Sequence, residues 1–245
     1  MAAPWPYHRL VAHRGAGKLA PENTLAAFQL GFAHGYRMFE CDIKLSSDNV
    51  GYLMHDSTLD RTTNGKGSPL AMPWAQLQRL DAGAWHSAQY AGERVPTLQL
   101  ITDFIQSNNC LINFEIKPVP GAEAQTGAEV ARQVRALWQG QATPPLLSSF
   151  SEEALSAARD AAPELPRALL ATRVPPADWL ARCQALGCVA FASHYSVMTP
   201  EVIARCDAAG LRKVVYTVND AATALALLAA GVDTVITDEV ALIAP

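Results

Sequence analysis

MFECDIK, residues 38–44, decides the fold of this chain. It is an apolar run carrying Glu40 and then Asp42 at alternate positions, and a strand puts alternate side chains on one face. Phe39, Cys41 and Ile43 then point the other way, toward a core. Two further runs share the layout: RLVAHRG, residues 9–15, ends on His13 and Arg14, and LINFEIKP, residues 111–118, ends on Glu115 and Lys117. Phe114 and Ile116 lie on the apolar side of the last run. Three strand ends therefore bring three acids, a histidine and two cations to one mouth, a donor set suited to a metal-assisted phosphate site.

Outward from these runs, β-like segments alternate with helical ones. Strands are predicted at 9–14, 38–46, 111–118, 145–150, 167–172, 188–194, 213–218 and 234–238. Amphipathic helices are predicted at 23–35, 97–108, 124–139, 151–161, 177–187, 199–209 and 220–230. Their starts carry cap residues (Asn23 or Thr24, Thr97, Ser151, Asn219 with Asp220), and several end before a glycine, as at Gly35, Gly187, Gly210 and Gly231. Eight strands alternating with helices suggest a (β/α)8 TIM barrel, the reading preferred here, although a doubly wound sheet gives the same alternation. So little chain follows 234–238 that the closing helix is expected to be truncated or missing. Residues 51–96 break the rhythm. GYLMHD can pair back onto the second strand, and the turn-rich remainder, with Trp74, Trp85 and Tyr90, reads as a cap over the mouth. These aromatics can shape a pocket, but the aromatics of such a cap are expected more to form its own small core. The whole of 1–245 is read as one barrel domain.

With 245 residues, 50% of them hydrophobic and 17% charged, the chain can bury a full core. A net charge of -4 without a cluster of Lys or Arg gives no reason to bind nucleic acid. Neither a secretory leader nor a run of about 18 apolar residues is visible, so no membrane insertion is expected. The five cysteines, an odd number without CxxC spacing, suit free buried thiols in a reducing cytoplasm. Oligomeric state is not legible.

Glu40 and Asp42 on one inward face repel and cost desolvation unless a cation lies between them. With Glu115 they form an all-oxygen donor set for a single divalent metal ion, Mg2+ or Ca2+ before Zn2+. His13 is the first imidazole and His55, in LMHD, the second. Phosphodiester cleavage needs a base for the attacking oxygen and an acid for the leaving one, and two histidines can share those roles. Arg14 suits bidentate recognition of phosphoryl oxygens and Lys117 adds a point charge, its bland alternative being a salt bridge to Glu115. Tyr216, late in a strand, lines the mouth or simply packs. Pro21, Glu22, Asn23 and Thr24 read first as a turn and helix cap.

The segments HRGAGKLAPENTLAAF, ECDIKLSSDN, LMHDSTLDRTTNGKG, FEIKP, LLSSF, YTVN and GVDTVITD, in this order, resemble the glycerophosphodiester phosphodiesterase family, and most of all its cytosolic bacterial members. The resemblance covers nearly the whole chain. It implies a barrel with a small insertion, one divalent metal ion, and release of glycerol 3-phosphate and an alcohol from deacylated phospholipids. It implies His13 and His55 as the family's histidines, Glu40, Asp42 and Glu115 as metal ligands, and Arg14 and Lys117 as phosphate-contacting cations. Two departures stand out: Tyr216 replaces a frequent tryptophan, and Asp238 a frequent asparagine. Both are expected to bear on substrate preference alone.

The expected function is metal-dependent hydrolysis of glycerophosphodiesters such as glycerophosphocholine and glycerophosphoethanolamine. A lysophospholipase D would need an apolar groove in the 51–96 cap. A non-catalytic glycerophosphodiester-binding barrel would have no use for paired proton carriers.

Overall fold

The computed structural model describes residues 5–245. In chain order the elements begin β1 (Leu10–His13), α1 (Leu25–Ala33), β2 (Met38–Leu45), β3 (Gly51–Leu53), α2 (Trp74–Leu77), α3 (Leu98–Ser107), β4 (Leu111–Ile116) and α4 (Glu123–Leu137). They continue with β5 (Leu146–Ser149), α5 (Glu152–Ala161), β6 (Arg167–Ala171), α6 (Trp179–Ala185), β7 (Ala190–His194), α7 (Pro200–Ala208), β8 (Arg212–Tyr216), α8 (Ala221–Ala229) and β9 (Thr234–Thr237). Each predicted strand and helix has its counterpart, with ends shifted by a residue or two.

β1 pairs in parallel with β9 on one side and β2 on the other, so the sheet has no break between its first and last members. An open doubly wound sheet would leave two edges; this one is a closed parallel TIM barrel. β3 lies antiparallel on β2, with Ile43 opposite Leu53 and Lys44 opposite Tyr52, which is the predicted back-pairing of GYL. After β9 the described chain makes only a turn at 240–242 where a closing helix would stand.

The period of two sorts the side chains as read. Val11, Met38, Leu146, Ala168, Leu170, Ala190, Ala192, Val214 and Ile236 fill the barrel below the mouth. Phe39, Cys41, Ile43, Phe114 and Ile116 face outward and pack with Phe28, Ile101 and Val130 of the surrounding helices. Phe28, Phe39 and Phe114 are fully buried, each contributing about 1.5–3 kcal/mol by removal of apolar surface from water. The insertion has a core of its own, in which Leu59, Leu77, Ala82 and Val95 gather round Tyr52 and Met54. Trp74 packs there against Tyr52 and Tyr90 against the main core, but Trp85 stays 39% exposed, contrary to the expectation that the insertion's aromatics turn inward.

Thr24, Thr97, Ser151 and Asp220 each accept a backbone N–H of the following helix. Thr24 thus takes the cap that the sequence left open against Asn23, and Asp220 alone the one read as Asn219 with Asp220, which frees Asn23 and Asn219 for other partners. All five cysteines are free and buried. Among the described residues no helix is long and apolar enough to cross a membrane.

Candidate active site

The strand register assembles the acids. His13 pairs with Glu40, Asp42 with Glu115, and Glu115 with Ser148, so neighbouring strands present their polar residues at matching heights. Glu40, Asp42 and Glu115 are 3%, 0% and 8% exposed, and each offers an oxygen within 4.8 Å of the others. Burial, aided by mutual repulsion, pushes Glu40 up to about 7 and Glu115 up to about 8. Burial presses Asp42 the same way, but Arg14 and Lys117 prevail and hold it below the usual carboxylate range. Asp42 Oδ1 is buried without a hydrogen-bond donor, Lys117 Nζ lying 3.5 Å away. Oxygen donors held this close at such electrostatic cost fit a hard divalent cation.

The cations are tied to these acids. Arg14 places Nε 3.1 Å from Asp42 Oδ2 and its Nη1 donates to Glu22 Oε1 at 2.8 Å. Lys117 Nζ is 2.6 Å from Glu115 Oε1, so the salt-bridge alternative for Lys117 is present in the structure. Its ammonium also lies 5.5 Å from the centre of the Phe150 ring.

Both histidines have an aspartate behind them. His13 Nδ1 is 2.5 Å from Asp238 Oδ1, and its Nε2 lies 3.6 Å from Glu40 Oε2. His55 Nδ1 is 2.8 Å from Asp56 Oδ1. With Nδ1–H donated to a carboxylate, each ring keeps Nε2 for the mouth, where it can accept or deliver a proton. Burial alone would lower His13, yet Asp238 and Glu40 raise it above the ordinary histidine value. His55, half-buried and within reach of the charges of Arg14 and Lys117, falls below it.

Sequence reading missed the groups that hold these side chains. Asn23, read as part of a turn and cap, donates Nδ2–H to Asp42 Oδ2 at 2.8 Å and accepts the Asp42 N–H at 3.1 Å. Glu22 receives Arg14 and a two-pronged contact from Arg61 at 2.7 and 2.8 Å. Arg61, from the insertion, also grips Asp56, so the cap is wired to His55. Asp238, expected to bear on substrate preference, is instead the partner of His13, with Asn219 donating to its other oxygen at 2.9 Å. Tyr216 donates its hydroxyl to the Ala171 carbonyl at 2.7 Å and meets Phe150 edge-on at 6.0 Å, so its ring, not its oxygen, borders the mouth. A cavity of ≈ 340 Å³ opens beside His13 and Arg14, walled by Lys18, Glu22, Asp238 and, from the insertion, Arg61, Trp85 and His86.

The sequence profile described as the Glycerophosphoryl diester phosphodiesterase family matches residues 13–242. The chain belongs to that family. A glycerophosphodiester phosphodiesterase of Caldanaerobacter subterraneus subsp. tengcongensis is 33% identical over 233 residues, spanning 94% of this chain and 93% of its own. Among solved structures, an Oleispira antarctica phosphodiesterase in complex with the product sn-glycerol-3-phosphate superposes with a TM-score of 0.90 at 34% identity, covering 97% of this chain and 95% of that one. The Agrobacterium tumefaciens glycerophosphodiester phosphodiesterase gives 0.83 at 31%, covering 97% and 99%. The family and its enzymatic, diester-hydrolysing character, first suggested by HRG, PENT, ExD, HD and ExK, are thereby established for this chain.

Proposed function

We propose that the chain hydrolyses glycerophosphodiesters such as glycerophosphocholine and glycerophosphoethanolamine to sn-glycerol 3-phosphate and the free alcohol, in a divalent-metal-dependent reaction. The observation that carries this reading is the meeting of a buried three-acid cluster with two aspartate-backed histidines, His13 beside Glu40 and His55 within electrostatic reach of Asp42. Glu40, Asp42 and Glu115 would hold the cation, Mg2+ or Ca2+ with Mn2+ as a further candidate. When bound, it neutralises charge on the phosphoryl oxygens. Arg14 and Lys117, already poised over Asp42, steady the phosphoryl group.

One imidazole accepts the proton of the glycerol 2-hydroxyl as that oxygen attacks phosphorus; the other protonates the departing alcohol. The P–O bond to the alcohol breaks and a cyclic phosphate remains. Water then opens the ring with the histidine roles reversed, leaving glycerol 3-phosphate. Tyr216 borders the alcohol through its ring. The whole of 1–245 acts as one barrel domain with the 51–96 insertion as its cap, and five free buried thiols favour the cytoplasm. Arg14, Lys18, Glu22, Arg61 and Asp238 ring the mouth cavity, which favours a small polar glycerophosphodiester over a lysophospholipid.

Purified protein given glycerophosphocholine or lysophosphatidylcholine, with divalent metal or excess chelator, should release glycerol 3-phosphate and choline from the first alone, and only with metal. Release of choline from the lysophospholipid, or full turnover in chelator, overturns the corresponding part. A 2-deoxy analogue should bind without turning over, because a well-aligned tethered hydroxyl supplies roughly 7–11 kcal/mol of barrier reduction. Turnover within tenfold of the parent substrate would favour direct attack by water.

A further inference from the structure

Lys44 sits at the mouth without a partner. It lies on β2 two residues beyond Asp42, on the same side of the strand as Glu40 and Asp42, and is 6% exposed. Its backbone pairs with Tyr52 of β3, but among the described residues its ammonium makes no hydrogen bond or ion pair. Asp42 is in register with Glu115, and the Lys117 N–H donates to the Ile43 carbonyl. The next position outward therefore sets Lys44 beside Lys117, one layer above the acids. The charged groups acting on it, Asp42, Lys117, Asp56 and Glu115, all belong to the site. Arg14 and Lys117 are already engaged by carboxylates, whereas Lys44 is held in reserve. Two ammonium groups side by side repel, and the largely enclosed Lys44 side chain has no counter-ion of its own. An oxyanion entering above the acids would answer both.

We propose that Lys44 binds a non-bridging oxygen of the substrate's phosphoryl group, completing with Lys117 a two-lysine clamp above the acid cluster. The proposal rests on the phosphodiesterase reading for the source of that oxyanion. The same chemistry is met by an acid group on the alcohol, as in glycerophosphoserine. The height of Lys44 beside Lys117 favours the phosphoryl group itself.

Calorimetry of inorganic phosphate and of glycerol 3-phosphate binding to the metal-loaded protein tests this without turnover. Lys44→Gln should weaken both about 10-fold, the size of a charge-assisted hydrogen bond, with metal affinity unchanged and with Lys44→Arg restoring most of the loss. The specificity constants for glycerophosphocholine and glycerophosphoserine should fall together. Unaltered phosphate affinity overturns the proposal, as does a loss that tracks weakened metal binding. A defect confined to glycerophosphoserine also overturns it, moving Lys44 to the alcohol. Should Lys44 prove to govern phosphate binding in a protein that hydrolyses no glycerophosphodiester, the clamp stands and the activity reading fails.

Discussion

At the scale of single residues, the two histidines share a design, Nδ1 against an aspartate, but reach it by different routes. Asp56 adjoins His55 in LMHD, although only the histidine was singled out there; Asp238 is 225 positions from His13 and meets it only because β9 closes against β1. No local pattern encodes such a contact. His13→Ala and His55→Ala should each lose about 10²- to 10⁴-fold in kcat while remaining folded, and the double variant little more than the worse single, because groups acting as a unit are non-additive. Near wild-type turnover in either single variant assigns that histidine a structural role. The Asp238 pair also has a pH signature. Burial opposes its ionisation, but the hydrogen bond and charge of His13 pull it from 3.8 down to about 2. Its contribution is therefore complete above 3.8 and lost as pH falls through about 2. His13, raised above 6.5, contributes fully below 6.5 and loses this as pH rises through its folded value. Asp238→Asn should cost about 2 kcal/mol near pH 5, and its urea-unfolding deficit should shrink toward pH 2 and again at alkaline pH. A deficit independent of pH would show that the ion pair contributes nothing.

At the scale of elements, the β1–α1 connection does more than begin a helix. Arg14 and Asn23 both adopt left-handed backbone, at φ 51° and 59°, and both reach Asp42. Such conformations cost energy in a non-glycine residue and persist where surrounding contacts over-determine them. Gly17, at φ 56°, passes so near β9 that an added Cβ would stand 2.0 Å from the Asp238 carbonyl oxygen. The sequence showed a turn and a cap here because Asn and Thr are comparable caps. Propensity alone did not tell that Thr24 takes the cap and Asn23 turns to the site. Replacing Asn23 separates the two effects. Asn23→Gly removes both hydrogen bonds but accepts the backbone, whereas Asn23→Ala should be worse by about 1 kcal/mol because alanine resists positive φ. Both should weaken metal binding, read by calorimetry beside thermal melting. Equal stability of the two variants would show that the loop relaxes out of the left-handed conformation.

At the scale of the molecule, strand–helix alternation was legible in the periodicity, and the closed barrel preferred from it holds, although periodicity is a local property that does not itself distinguish closure, the β1–β9 pairing that joins the chain's ends, from an open sheet. Closure gathers the acids of two strands and the histidines of a third strand and the cap around one mouth, and concentrates there an electrostatic penalty. A carboxyl whose folded pKa exceeds its unfolded one destabilises the fold as pH rises past the unfolded value, and the penalty levels off above the folded value. Glu40 and Glu115, raised from 4.5 to about 7 and about 8 by burial and by their neighbours, both carry this sign, even with Lys117 2.6 Å from Glu115. Metal-free protein should therefore melt at progressively lower temperature as pH rises from 4.5 to about 8, and saturating Mg2+ or Ca2+ should remove the trend, because an ion bound only by the folded state adds stability by mass action. Glu115→Gln should do two opposite things: raise the melting temperature of metal-free protein at pH 8, and abolish the response to added cation. A variant less stable than wild type under those metal-free conditions, or one still stabilised by the cation to the wild-type extent, would show that the acids are not held together against their own repulsion for a metal.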